Sequence, residues 1–132
     1  MKNIFSAIFK SHVKNVPNTV VKCLTNHFPE AINVEWEAKE NIFEAVFYLN
    51  EIEHIAYINE KGKLIEYKKN LWINELPISI NAEAEKIGEI MNAIVIYRTP
   101  EQFYEIIVRN KEFNRTLMLF NSNGILQTMN EI

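Results

Sequence analysis

The chain contains no aspartate, and all 17 of its acidic residues are glutamate. Calcium loops built on Asp-x-Asn/Asp spacing are therefore excluded. It has one cysteine, Cys23, so no internal disulfide can form and a disulfide-stapled mini-domain is ruled out. Glycine occurs only at 62, 88 and 124, too scattered for a phosphate-cradling loop. With just four prolines besides, long disordered linkers are not expected. Basic residues are few and dispersed, 14 against 17 acidic for a net charge of -3, which speaks against nucleic acid as a partner. No apolar run is long enough for a transmembrane span. The run from Ile4 to Phe9 is too short for a signal sequence and is broken by Lys10, His12 and Lys14. The expectation is thus of no cleavable signal and a cytoplasmic location.

What the chain does have is an apolar fraction of 48% in 132 residues, enough for one domain with its own core. It also has an internal repeat. FEAVFYLNEIEHIAYINEKGKL, from Phe43 to Leu64, is matched by YEIIVRNKEFNRTLMLFNSNGIL, from Tyr104 to Leu126. Glu44 corresponds to Glu105, Asn59 to Asn121, Gly62 to Gly124 and Leu64 to Leu126. Each copy reads as alternating strand, hairpin, strand, glycine turn and last strand.

Each copy is preceded by a proline-led helix. Val16-Pro17-Asn18-Thr19-Val20 and Leu76-Pro77-Ile78-Ser79-Ile80 offer a proline to start and a hydroxyl to cap. Val20, Val21, Leu24 and Phe28 then form one apolar face, and Ile80, Ala84, Ile87 and Met91 the other. Strands are predicted at 32–38, 42–49, 52–59 and about 64–70, and again at 93–98, 103–109, 113–120 and 125–129. Short links require antiparallel meanders. The fold class is therefore α+β, with two tandem helix-plus-four-strand repeats forming one eight-stranded antiparallel sheet and helices on one face. The expected organisation is an N-terminal amphipathic helix within 1–15 and a single domain from 16 to 132. That domain comprises repeat one at 16–70, a connector at 71–75 and repeat two at 76–132.

Taken together, Val16-Pro17-x-x-Val20, Phe28-Pro29-x-Ala31-x-x-Val34-x-Trp36, Phe43-Glu44-Ala45-Val46-Phe47, Asn59-x-x-Gly62 and Leu76-Pro77 resemble the PepSY-like, β-lactamase-inhibitor-like family. The resemblance covers nearly the whole chain from Val16 onward. It implies the tandem fold above and a non-enzymatic binding or inhibitory role, without any catalytic residue. Members commonly carry an export signal and are often periplasmic, and many have Asp where Asn59 and Asn121 stand here.

Chemistry-bearing residues are sparse. His12, His27 and His54 fall on three different elements, so no converging zinc set is expected. No cofactor is implied. Cys23 and His27 lie one helical turn apart, but no orienting third group or oxyanion site accompanies them. His54 is expected on the surface, and Glu44 and Glu105 as strand-surface charges rather than an acid/base pair.

One face of the sheet is more apolar than bare solvent favours. Alternation is read as pointing Ala45, Phe47, Ile55 and Tyr57, with Tyr104, Val108, Leu117 and Leu119, toward the helices. Val46, Tyr48, Ala56, Ile58, Ile107, Met118 and Phe120 would then point away. The candidate partner-binding set is Val46, Tyr48, Ile58, Ile107, Met118 and Phe120. The expected function is a non-enzymatic protein-binding or inhibitor-like module using that face. The alternatives are a homo-oligomer that covers the face with itself and a small apolar-ligand carrier.

Overall fold

The computed structural model describes residues 11–12 and 15–132. Its elements are β1 (Ser11–His12), α1 (Asn18–His27), β2 (Ile32–Lys39), β3 (Ile42–Leu49), β4 (Ile52–Asn59), β5 (Leu64–Asn70), a 3₁₀ turn (Ile73–Glu75), α2 (Ile78–Glu85), β6 (Glu89–Arg98), β7 (Glu101–Arg109), β8 (Arg115–Asn121) and β9 (Leu126–Glu131). The class is α+β, with strand order following chain order in an antiparallel sheet. Two-residue β1 joins the eight expected strands by pairing with β2, Ser11 opposite Ala38. Most of the helix expected within 1–15 lies outside the described residues, and Ser11–His12 is extended.

The contacts divide the chain into two compact units, one up to Tyr67 and one from Lys68 on. In the first, Pro17 caps α1 with φ -55, and its carbonyl accepts from the amides of Val20 and Val21 at 3.0 and 3.1 Å. The fixed φ of proline suits this position and no hydroxyl is needed, so the expected side-chain cap is not made. α1 lays Val20, Cys23 and Leu24 onto Ala45 and Phe47 of β3 and Ala56 and Ile58 of β4, all buried. Phe28, Trp36, Phe43 and Leu64 border this core.

The second unit follows the same order with a shorter helix. The Pro77 carbonyl accepts from the amides of Ile80 and Asn81 at 3.1 and 3.0 Å. α2 stops at Glu85, so Ile87 falls beyond its end and Met91 in β6, not on the helix as their spacing predicts. Three residues beyond its end the backbone passes close to β7: a Cβ on Gly88 would come to 2.5 Å from the Arg109 carbonyl oxygen, so glycine is required there. The core of this unit joins Leu76, Ile80 and Ala84 to Ile90, Ala93, Ile106, Val108, Met118 and Phe120.

Candidate functional site

Two-residue hairpins decide which side chains share a face. β3 and β4 are joined by Asn50 and Glu51, both with positive φ (50 and 67), which sets Leu49 opposite Ile52. Residues directly opposite each other point the same way. Ala45 therefore pairs with Ala56, Phe43 with Ile58 and Phe47 with His54, all on the helix side. Glu44 pairs with Tyr57, Val46 with Ile55 and Tyr48 with Glu53 on the opposite side. In β2, Trp36 lies opposite Ala45, whereas Glu35 and Glu37 lie opposite Val46 and Glu44.

This corrects the expected register of β4. Ala56 and Ile58 do not point away from the helix; both are buried beneath α1, and Ile55 and Tyr57 occupy the other face. In the second unit Ile106 pairs with Met118 and Tyr104 with Phe120. Met118 and Phe120 are likewise buried in the core with α2, while Leu117 and Leu119 pair with Ile107 and Glu105 on the far side. Of the six candidate contact residues, Val46, Tyr48 and Ile107 lie on the face opposite the helices. Ile58, Met118 and Phe120 do not.

In the first unit that face carries four glutamates among apolar and aromatic side chains. Glu35 is exposed, Glu37 half-buried, and Glu44 and Glu53 are buried. The Glu37 Oε2 atom is buried without a hydrogen-bond partner. The Tyr48 hydroxyl donates to Glu53 Oε2 at 3.3 Å. Burial pushes the Glu53 carboxyl above its usual range, and the bond from Tyr48 pulls only partly the other way. Burial and the Glu53 charge both raise the Tyr48 phenol. Ile55 is buried, with Val46, Tyr48 and Tyr57 half-buried around it. In the second unit the corresponding face holds buried Ile94 and Ile96, with Phe103, Ile107, Leu117 and Leu119 half-buried.

His54 is not on the surface. It is buried on the helix side, stacked against Phe47 and Tyr67 with ring centroids 5.5 and 5.6 Å apart, and its Nδ1 lies 2.8 Å from the Tyr67 hydroxyl. Phe28 packs on Phe47 and Tyr67 at 4.9 and 4.8 Å, so four rings close the end of α1 over the sheet. Glu44, too, is buried rather than a surface charge.

Cys23 and His27 do approach, Sγ to Nδ1 at 3.7 Å, but the imidazole Nδ1 also sits 2.9 Å from the Cys23 carbonyl oxygen. Burial raises the Cys23 thiol, which opposes the thiolate a nucleophile requires. Among the described residues no group of three or more His, Cys or Glu side chains could hold a metal ion. None of their helices is long and apolar enough to cross a membrane.

No family model matches the chain, and no match was found among curated proteins. Solved structures do resemble it. A DUF2874 family protein from Bacteroides uniformis ATCC 8492 is 16% identical with a TM-score of 0.80, over 89% of this chain and 90% of that one. A protein from Bacteroides eggerthii DSM 20697, described as periplasmic, is 18% identical with a TM-score of 0.80 over the same shares. A BLIP-like protein from Bacteroides fragilis NCTC 9343 is 14% identical with a TM-score of 0.78, over 91% and 89%. These neighbours give the cytoplasmic expectation no support, and none bears the PepSY name. At such identities the likeness establishes the fold, and the fold is BLIP-like.

Proposed function

We propose that the protein is a non-enzymatic binding module, of inhibitor-like type, whose working surface is the sheet face opposite the helices. The observation that carries this reading is the composition of that face in the first unit. Half-buried Val46, Tyr48 and Tyr57 are interleaved with Glu35, Glu37, Glu44 and Glu53. Aromatic side chains supply contact area at small entropic cost, and a cluster of carboxylates favours a partner surface that presents Lys or Arg beside apolar groups. Ile107, with Phe103, Leu117 and Leu119, gives the second unit an apolar surface of the same orientation relative to its own helix. The BLIP-like neighbour is consistent with this reading. The raised Cys23 thiol disfavours covalent catalysis through that residue.

The test is capture of a partner from native lysate by wild-type protein and by a Val46→Lys, Tyr48→Ser, Ile107→Lys variant. A true anchor costs about 2 kcal/mol or more when truncated, so capture by the folded variant should be lost. Glu35→Lys should weaken the preference for a basic partner surface without touching the core. Undiminished capture by both folded variants would place the contact elsewhere. Self-association through this face is the second reading, and the same variants would then abolish a dimer instead of a complex.

A further inference from the structure

The repeat invites a comparison of the two helix ends, and they differ. In the first unit the end of α1 is closed by Phe28, which packs on Phe47, and by Tyr67, which packs on Phe28. Counting from Pro17 and Pro77, Gly88 stands where Phe28 does. Counting from Gly62 and Gly124, Met129 stands where Tyr67 does. The result in the second unit is a groove of about 440 Å3 between α2 and strands β8 and β9. Met118, Phe120, Leu126 and Met129 line its floor, with Ala82 and Ile87 on the helix side.

β9 borders this groove and, among the described residues, pairs only with β8, so it stands at an edge of the sheet. All six of its residues are exposed, as are Ile125 before it and Ile132 after it. Natural edges are guarded by charge, proline or brevity. From Ile125 to Asn130 this one has neither charge nor proline, and its register irregularity is confined to its start, beside Phe120. Met129 lies opposite Met118 and Glu131 opposite Thr116, so Met129 faces the groove side.

We infer that β9 is a dimerisation edge, which a second copy of the chain extends by antiparallel β9-to-β9 pairing about a twofold axis near Met129. The strand's single charge, Glu131, falls opposite the partner's Gln127 rather than its own copy in a pairing centred on Met129, so like charges do not meet, and the backbone groups along the outer edge find partners. The pairing also places the partner's Met129 and the apolar residues flanking it over the rim of each groove, where the first unit uses its own rings. Leu126 and Met129, 42% and 50% exposed, are the side chains that lose water. A six-residue edge with a few apolar side chains buries several hundred Å2 per copy, short of the roughly 800 Å2 per partner of a standard interface. The dimer is accordingly weak and concentration-dependent. This inference is independent of the sheet-face reading above and uses a different surface.

Sedimentation equilibrium over a concentration series tests it. The weight-average mass of the wild type should rise from 15.5 kDa toward twice that value. Met129→Lys, at a half-exposed position that tolerates the longer side chain, should stay monomeric with its circular dichroism unchanged, a loss of at least about tenfold in affinity. Lys22→Ser, on the exposed face of α1 and outside both surfaces, should dimerise like the wild type. As a second readout, Met129→Cys should form an intermolecular disulfide under mild oxidation, whereas Lys22→Cys on the exposed face of α1 should not. A wild type that remains monomeric to millimolar concentration overturns the inference. So does a dimer indifferent to Met129→Lys, or equal cross-linking at the two cysteines.

Discussion

Glu53 shows how a single residue carries a pH dependence in this protein. Its carboxyl is raised above the ordinary value of 4.5, chiefly by burial, so the folded state favours the protonated form. The contribution of this group to stability is then fully present below the unfolded pKa and is lost as pH rises through the folded one. Glu53→Gln, which keeps an acceptor for Tyr48 but cannot ionise, should raise Tm relative to wild type at pH 7 and leave it unchanged near pH 3.5. An equal effect at both pH values would show that the burial of charge is not the cause. Two glycines allow a second residue-scale test. Gly62 and Gly124 both have φ 82, where any side chain is strained. A Cβ on Gly62 would meet the Thr19 carbonyl oxygen at 2.8 Å, whereas on Gly124 it would meet the Ser79 hydroxyl at 2.9 Å, and a hydroxyl can rotate away. Gly62→Ala should therefore cost about 1–3 kcal/mol, and Gly124→Ala less. Chemical denaturation of the two variants gives the comparison directly.

The hairpins decide matters at the level of elements. Asn59 Oδ1 accepts from the amides of Lys61 and Lys63, and Asn121 Oδ1 repeats this with Asn123 and Ile125. Asn110 does the same for Glu112 and Asn114, so a third asparagine turn joins β7 to β8. Asparagine holds these turns by bonding its own backbone, and aspartate is not required. The strand limits were legible in the alternation, and 42–49 and 52–59 match β3 and β4. The two-residue gap between them was legible as well. It pairs odd positions of one strand with even positions of the next, which the reading of Ala45, Phe47, Ile55 and Tyr57 as one face overlooked. Both faces of β4 are apolar, so composition alone could not reveal the slip. The corrected register makes a sharp prediction. Phe120→Ala and Ile58→Ala, in the two cores, should cost about 3–5 and 2–5 kcal/mol of stability. Val46→Ser, on a half-buried position of the far face, should cost less. Comparable losses at all three sites would mean that the far face is packed as tightly as the core.

On the scale of the whole molecule, each unit has its own apolar core, the single cysteine allows no internal disulfide, and the described residues contain no metal-holding group of three or more His, Cys or Glu. Chelator and reductant should leave Tm unchanged, and Cys23, buried with a raised thiol, should react slowly with iodoacetamide until the protein unfolds. A drop in Tm with chelator would reveal a ligand set that the described residues do not contain. The sequence by itself determined the class, the order of elements and the turns, because period-two alternation, proline starts and asparagine-glycine turns are local signals carried by neighbouring residues. Tertiary structure alone decided three things. Gly88 lies against the Arg109 carbonyl of β7, too close for any Cβ, a contact that no helix propensity contains. His54 is buried because Phe47 and Tyr67 stack against it and Phe28, far from both in sequence, packs on those two rings. The groove between α2 and strands β8 and β9 is open because no aromatic pair closes the end of α2 as Phe28 and Tyr67 close the end of α1. Each depends on which distant side chains meet across the sheet, and alternation sorts residues into two faces without saying which face meets the helix.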